Sequence, residues 1–314
     1  MQQSVLSLKN VVKTYGDFRA VDDISFSIPQ GSICGLLGPN GAGKTTTIRM
    51  ILEIIKPSSG EISILGHSSA LDVRHRIGYL PEEKGLYKKM KVWAVIQYFA
   101  MLKGIDSKTA KQRASALLAQ YGLADFAEAR VESLSKGMSQ KVQVLSAVVH
   151  QPELVILDEP FSGLDPVNQK VLEDLIHDMA ANGQTVIFST HVMQHAERLC
   201  DHILLIAKGT KIFDGTVAEA KARIPRRVLL ESRDDIKLLQ SIDGVGAIEE
   251  LETTSTSKGK NWQIQISEQL NPQEILRSCF ECGISLSRFE FTEPSLHDVF
   301  VHLVGADAME HTLR

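Results

Sequence analysis

The stretch Gly38 to Thr45 places glycine, lysine and threonine at the spacing G-x-x-x-x-G-K-T, which is typical of phosphate-binding loops. It follows the apolar run 33–37 and precedes a segment, 44–55, with helical character. In such a loop, backbone N–H groups and the N-terminus of the next helix converge on one polyanion. Its glycines leave no Cβ between main chain and phosphate. The predicted phosphate-binding residues are Gly38, Pro39, Asn40, Gly41, Ala42, Gly43, Lys44, Thr45 and Thr46.

Lys44 and Thr45 form one pair of candidate site residues, and Asp158 and Glu159 form another. Lys44 is expected to reach the β- and γ-phosphates of a nucleotide, and the hydroxyl of Thr45 to bind Mg²⁺. Asp158 and Glu159 end the apolar run 154–157, where carboxylates are costly unless they meet a metal, hydrogen-bond donors or water. We predict that Asp158 holds Mg²⁺, directly or through water. Glu159 is placed to accept a proton from an attacking water.

Three weaker candidates lie elsewhere in the chain. Tyr15, on the predicted connection between the first two strands, is either a half-buried packing residue or a face on which adenine stacks. The Ser/Gly cluster 133–137 opens a helix that runs to His150, and its N-terminus is either simply capped or holds an anion. His191 ends a strand predicted to lie parallel to the strand before Asp158, at the edge where α/β sheets bind ligands.

The elements around these residues predict a layered α/β domain. Helix and strand alternate from 31 to 207, which implies a parallel sheet with right-handed crossovers. Three strands within 4–37 predict an antiparallel patch before the phosphate loop, and 92–132 has the spacing of a helical insertion. The runs 203–207 and 210–213 predict a closing hairpin.

At about Ala222 the character of the sequence changes. A basic, proline-broken stretch, 223–227, is interpreted as a solvated junction rather than a lipid-binding patch, and the segments after it predict a small α+β appendage. The polar stretch 253–259 is predicted to be a flexible loop of that appendage. We therefore predict one domain over 1–222, with a helical part at about 88–150, and a second over 223–314.

Composition excludes several classes of protein. Among 314 residues, 43% are hydrophobic and 23% charged, as in ordinary globular proteins, and a net charge of −4 argues against a nucleic-acid surface. The four cysteines lack a zinc-type spacing and are expected to be reduced thiols. No signal peptide is expected, and the longest apolar runs fall far short of the roughly 20 residues of a spanning helix. A membrane activity would therefore need another chain.

The order of these motifs resembles the ATP-binding cassette (ABC) ATPases over residues 4–220. In that family the phosphate loop is the Walker A motif, and Asp158-Glu159 is Walker B. The resemblance implies a P-loop NTPase of ABC type, α/β in class, with a parallel core sheet, an antiparallel β patch and a helical insertion, followed by a small C-terminal α+β domain. It also implies that Ser135 and Gly137 belong to the signature motif and that Tyr15 is the aromatic residue that stacks on adenine. Asp165 takes the position of the D-loop and His191 that of the switch histidine.

Two positions depart from the family pattern. The signature motif has Lys136 and Met138 where the common form has glycine and glutamine. The loop that usually offers glutamine to Mg²⁺ reads Pro81-Glu82. The carboxylate of Glu82 can still bind the metal, but it adds negative charge beside the γ-phosphate. The sequence therefore does not determine the rate of ATP hydrolysis, whereas binding of ATP and Mg²⁺ is expected.

The resemblance also implies partners and a reaction. Two cassettes are expected to meet head to tail, so that Ser135 serves the ATP of the partner, and water attacks the γ-phosphate in line. Segments 81–87 and 293–300 resemble the ATPase subunits of bacterial type-2 ABC exporters of the sodium or antibiotic efflux kind. That subtype implies a separately encoded transmembrane permease and a cytoplasmic location on the inner face of the membrane, without indicating the cargo.

Two questions stay open at this point. The alternative function is that of a soluble ABC ATPase acting on ribosomes or nucleic acid, although one cassette and an acidic net charge favour the transporter. The C-terminal domain is either a regulatory sensor or an aid to dimerisation, and no ligand motif distinguishes the two.

Overall fold

The computed structural model describes residues 4–83, 85–251 and 259–305. The chain forms two compact units, one reaching Val217 and the other beginning at Ala218. This division lies a few residues before the proposed boundary after Ala222. Residues 253–258 of the predicted flexible loop and Lys84 of the segment 81–87 lie outside the described residues.

The first unit combines two sheets with helices. Its strands are β1 (Ser4–Tyr15), β2 (Phe18–Pro29), β3 (Ile33–Leu37), β4 (Ser59–Ile64), β5 (Ile77–Leu80), β6 (Leu154–Leu157), β7 (Thr185–Thr190), β8 (His202–Ala207) and β9 (Thr210–Gly215). Its helices are α1 (Lys44–Ile51), α2 (Val92–Leu102), α3 (Ser107–Gln120), α4 (Lys136–Val148), α5 (Pro166–Ala181) and α6 (Met193–Leu199). No helix in the described part of the chain is both long and apolar enough to cross a bilayer.

The larger sheet of this unit has the order β5-β6-β7-β3-β8-β9. Its first five strands are parallel, and β9 returns antiparallel to β8 as the predicted hairpin. Strands β3, β6 and β7 are buried along their whole length, as expected for parallel strands covered on both faces. The predicted parallel core sheet is confirmed, and the carboxyl ends of β3, β6 and β7 meet at one edge.

The predicted antiparallel patch is also present, as a three-stranded sheet of order β2-β1-β4. Its first two strands have 12 residues each and are longer than the sequence pattern indicates, because register shifts interrupt the alternation of apolar residues. Tyr15 is consequently the last residue of β1 and pairs with Phe18. The prediction that Tyr15 lies on a connection was wrong.

The predicted helical insertion forms α2 and α3, which pack against α4 in one core cluster. Val95, Ala114 and Leu118 are buried there, whereas Leu102, which lies at helical spacing from Val95, is 62% exposed. Asp106 caps α3 by accepting hydrogen bonds from the N–H groups of the first turn. The four cysteines are unpaired thiols, as expected.

The second unit is a four-stranded antiparallel sheet with helices. Its elements are α7 (Val217–Lys221), β10 (Arg226–Ser232), β11 (Val245–Leu251), β12 (Lys260–Ile266), α8 (Pro272–Glu281), β13 (Leu286–Thr292) and α9 (Leu296–Val304), and the sheet order is β11-β12-β10-β13. A single 3₁₀ segment, Lys237–Ser241, takes the place of the first helix of a β-α-β-β-α-β arrangement. Arg226 and Arg227 lie within β10, so the predicted solvated junction is partly strand.

Burial of His150 predicts a pH-dependent stability. Its Nε2 donates to the carbonyl oxygen of Ile77 at 3.1 Å, and burial lowers the pKa of the imidazole from 6.5 to about 4. Because the folded state favours the neutral ring, the stabilisation is complete above pH 6.5 and is lost as the pH falls from there toward 4. The loss is up to about 3 kcal/mol, from 1.4 kcal/mol per pKa unit.

We expect His150→Gln to flatten this part of the curve of unfolding free energy against pH, measured by urea denaturation. His177→Gln is the matched control, because His177 is an exposed histidine on α5. An equal slope for the wild-type protein and His150→Gln would contradict the assignment.

Candidate functional site

The phosphate loop follows β3, and Gly43 caps α1 with a φ of 103°. A Cβ at Gly43 would come within 2.6 Å of the carbonyl oxygen of Ala20, so the position excludes a side chain as well as requiring positive φ. From the sequence, these glycines are explained by the close approach of phosphate and by the positive φ that a wrapping loop requires. The structure adds close packing of the loop on β2.

Lys44 folds back over this loop. Its side chain is 6% exposed, and Nζ donates to the carbonyl oxygens of Gly38 at 2.7 Å and Pro39 at 3.1 Å. The same Nζ lies 3.4 Å from Oε1 of Glu159. The ammonium group is therefore held at the junction between the loop and the end of β6, two regions more than 100 residues apart in the chain.

Asp158 lies at the end of β6 and is 1% exposed. Its Oδ1 accepts hydrogen bonds from the hydroxyl of Thr45, at 3.3 Å, and from that of Ser189. Its Oδ2 is buried with no hydrogen-bond partner. Burial raises the pKa of Asp158, and the hydrogen bonds from Ser189 and Thr45 oppose that effect. A buried carboxylate oxygen without a donor, beside a hydroxyl, fits a hard cation such as Mg²⁺.

Ser189 is a site residue that the sequence reasoning missed. It lies on β7, and its Oγ donates to Asp158 while accepting from the backbone N–H of Glu159 at 2.9 Å. The signal available was its position just before Thr190 and His191 at a strand end. Recognising its role required knowing that β7 is the neighbour of β6.

Glu159 lies between the two basic side chains of the site. Its Oε2 accepts from Nδ1 of His191 at 3.0 Å, and its Oε1 faces Lys44. The carboxylate is 8% exposed, whereas the His191 side chain is 45% exposed. Glu159 also has a φ of 46°, which is uncommon for a residue with a side chain and recurs at functional sites. This arrangement can hold a carboxylate base in one orientation.

Ser135, Gly137 and Asp165 form a separate group. Ser135 caps α4 by accepting from the N–H of Met138 at 3.3 Å, and Asp165 caps α5 by accepting from the N–H of Asn168 at 3.0 Å. A Cβ on Gly137 would overlap the side chain of Asn168, so the two helix starts lie against each other. Among the hydrogen bonds and ion pairs of the described residues, none joins this group to the phosphate loop.

Tyr15 and Glu82 lie at the surface. The ring of Tyr15 is 52% exposed and has Nζ of Lys13 at 5.0 Å from its centre, so packing in a core does not explain this aromatic residue. Glu82 is exposed just beyond β5, whose Leu80 pairs in register with Leu157. It therefore lies at the sheet edge where Asp158 begins, although no hydrogen bond of the described chain joins the two carboxylates.

A cavity of about 1040 Å³ is lined by residues of β1, β4 and α1 and includes none of the predicted site residues. No cluster of three or more His, Cys, Asp or Glu side chains in the described ranges is arranged to hold a metal.

Comparisons with known proteins match this architecture. Residues 21–162 match the ABC transporter family, and residues 215–304 match the C-terminal domain of DrrA1-3-like ATP-binding proteins. The uncharacterized ABC transporter ATP-binding protein YhaQ of Bacillus subtilis (strain 168) is 42% identical over 303 residues, which cover 96% of this chain and 99% of that protein. The daunorubicin resistance ATP-binding protein DrrA3 of Streptomyces coeruleorubidus is 29% identical over 314 residues, covering 98% of each.

Solved structures match about two thirds of this chain. A structure described as the ATP binding subunit of an ABC transporter is 31% identical, with a TM-score of 0.65, and covers 70% of this chain and 93% of that chain. The ATP-binding cassette MJ0796, solved as a dimer with ADP and Pi, has a TM-score of 0.62 at 24% identity over 67% of this chain and 98% of that chain, which shows the shared fold.

Proposed function

Because this chain belongs to the family of ABC transporter ATP-binding subunits, we propose that two copies close around two ATP molecules and use their hydrolysis to drive export through a separately encoded membrane permease. The observation that carries the proposal is the position of Glu159, between Lys44 and His191 and next to the pair formed by Asp158 and Thr45. The chemistry is that of an ATPase, with water attacking the γ-phosphate.

Each residue of the site has a defined part in this reaction. Lys44 leaves the carbonyl oxygens of its own loop to bind the β- and γ-phosphates. Glu159 accepts the proton of the attacking water, and His191 holds the carboxylate in position through Nδ1. Asp158 and Thr45 would hold Mg²⁺, with Glu82 as a further oxygen ligand at the same edge, and a cation held there would supply positive charge beside the phosphates.

The second copy completes the site. Ser135 and Gly137 offer the N-terminus of α4, where the helix dipole and free N–H groups favour an anion, to the ATP bound by the partner. Asp165 shapes the adjoining start of α5. Tyr15, whose exposed ring has no core to pack into, stacks on the adenine.

Export and membrane docking rest on the relatives and on one surface patch. DrrA3 is named for resistance to daunorubicin, and the linearmycin resistance ATP-binding protein LnrL of Bacillus subtilis (strain 168) is 30% identical over 96% of this chain. Such names support outward transport. They also favour the transporter over the alternative of a soluble ATPase acting on ribosomes or nucleic acid. We place the protein on the inner face of the membrane, where ATP is present.

The surface proposed for the permease is the aromatic patch formed by Tyr87, Tyr98, Phe99, Met101 and Leu102. Tyr87 and Tyr98 pack edge to face with ring centres 5.4 Å apart, and Phe99 lies 5.8 Å from Tyr98. Leu102 and Met101 are 62% and 47% exposed. Contiguous exposed apolar surface of this kind marks interaction sites. Along the chain, the patch begins five residues after Glu82. The surface proposed for the permease is therefore connected by a short segment to the edge of the sheet where the nucleotide is proposed to bind.

We expect Leu102→Glu to abolish co-purification with the multi-spanning protein encoded by the neighbouring reading frame, because a charge in a buried apolar contact costs several kcal/mol. ATP binding by the variant should be unchanged. Leu71→Glu is the matched control, since Leu71 is 55% exposed outside the patch. Co-purification of the Leu102 variant at the wild-type level would exclude this docking surface. ATPase activity stimulated by ribosomes or DNA would favour the alternative function.

A further inference from the structure

Strand β13 is an edge strand of the C-terminal sheet. It pairs with β10 on one side, and no other strand in the described chain pairs with its second side. Such an edge presents unpaired N–H and C=O groups that can bind another strand. Its register with β10 is regular from Arg288 to Thr292. A straight five-residue stretch of edge is therefore available.

The charges on the two edges of this sheet differ. The edge strand β11 carries Glu249 and Glu250, both exposed, of which Glu250 forms an ion pair with Lys260 of β12. The strand itself has only acidic charges, so two copies meeting there would bring like charges together. Strand β13 carries Arg288 and Glu290, which form an ion pair with each other and are 56% and 43% exposed. Because side chains alternate along a strand, both lie on the same face. The β13 edge has no net charge to oppose pairing.

We propose that two copies of this chain pair through β13, antiparallel about a two-fold axis normal to the sheet, so that the two four-stranded sheets become one. The pleat allows only residues on the same face to lie opposite each other. A register centred on Phe289 places Arg288 opposite Glu290 of the partner subunit. The two-fold axis repeats this pair, so the interface would contain two such ion pairs. Registers centred on Arg288 or on Glu290 would instead oppose like charges, so the charge pattern selects the first register.

An exposed aromatic residue supports the same partner. Phe280, in the last turn of α8, is 72% exposed. It lines a groove of about 510 Å³ with Leu276 and the segment 283–289, which leads into β13. Helix α8 covers the face of the sheet where Phe289 and Phe291 pack against the core. The proposed axis brings the α8 helices of both copies to the same face, where the two Phe280 side chains close the groove.

This contact is separate from the nucleotide-dependent pairing proposed above, because it uses no residue of the ATP site. Its test is disulfide formation in the full-length chain without nucleotide, in a Cys282→Ser background that removes the exposed thiol. A mixture of Arg288→Cys and Glu290→Cys chains should cross-link. Each variant alone should not, because its cysteines would lie diagonally, beyond the roughly 7 Å Cα separation that a disulfide spans. Absence of the cross-link in the mixture, or equal cross-linking in each variant alone, would overturn the proposal.

A charge exchange tests the same register by sedimentation. Arg288→Glu should raise the dissociation constant of the nucleotide-free dimer at least about tenfold, because it places two glutamates opposite each other in each pair. The double variant Arg288→Glu/Glu290→Arg should restore it, since complementarity is regained. Lys44→Ala should leave both results unchanged, which separates this proposal from the ATP-dependent one. An unchanged dissociation constant in Arg288→Glu would exclude the pairing.

Discussion

Replacement of Lys44 by alanine is expected to raise the dissociation constant for ATP by about 150- to 5,000-fold, the equivalent of the roughly 3–5 kcal/mol lost when one partner of a buried charge pair is removed. The ammonium group is 6% exposed and already lies among the oxygen atoms of the loop, so phosphate oxygens can replace those carbonyls with little rearrangement. Equilibrium binding of a fluorescent ATP analogue measures the change.

The matched control is Lys103→Ala. Like Lys44, Lys103 donates to two backbone carbonyl oxygens, those of Arg74 and Ile77, and burial lowers its pKa, but it lies away from the loop. Loss of Lys103 should leave ATP affinity within about twofold, as expected for a residue that does not contact the ligand. If Lys44→Ala is folded by circular dichroism and binds ATP like the wild type, the loop has been assigned the wrong function.

Glu159→Gln is expected to retain ATP binding while lowering turnover by about 10²–10⁴, the usual contribution of a positioned general base. Glutamine keeps the shape of the side chain and can still meet His191, but it cannot accept the proton of the water. Removing the carboxylate charge also frees Lys44 from an ion pair of 3.4 Å. Affinity for ATP should therefore be equal or higher. Single-turnover phosphate release separates the chemical step from binding.

Glu128→Gln serves as the control, because this carboxylate is 72% exposed in an ion pair with Lys91. It should leave both binding and turnover unchanged. Near-normal turnover in Glu159→Gln would shift the role of base to Glu82 or His191. The variants Glu82→Gln and His191→Ala would then identify the base. The residue whose replacement lowers turnover by about 10²–10⁴ would have that role.

The sequence was sufficient for the parts of the site whose geometry is local. The phosphate loop is a contiguous turn between a strand and a helix, so its residue types report its backbone directly. Asp158 and Glu159 were identifiable because carboxylates directly after four buried apolar residues need a partner. The alternation of strand and helix likewise predicted the parallel sheet and the hairpin of β8 and β9.

Local patterns failed where burial does not alternate. Strand β11 has mostly exposed residues and was not predicted, because no apolar face marks it in the sequence. The bulged strand β1 runs on to Tyr15, which the interrupted pattern left on a connection. Leu102 lies at helical spacing from the buried Val95 and is nevertheless exposed. The spacing of apolar residues along a helix does not show which other elements pack against it.

The pairings that make the site depend on strand order, which no local pattern contains. Ser189 bonds to Asp158 across 31 residues of chain, and His191 meets Glu159 across 32, because β7 lies beside β6 with a particular register. The free edge of β13 is equally a property of the folded sheet. The sequence thus determined which chemical groups the protein has and how its phosphate loop is built. Only the tertiary structure decided which groups meet, because hydrogen bonds and ion pairs act over a few ångströms in space, whatever the separation along the chain.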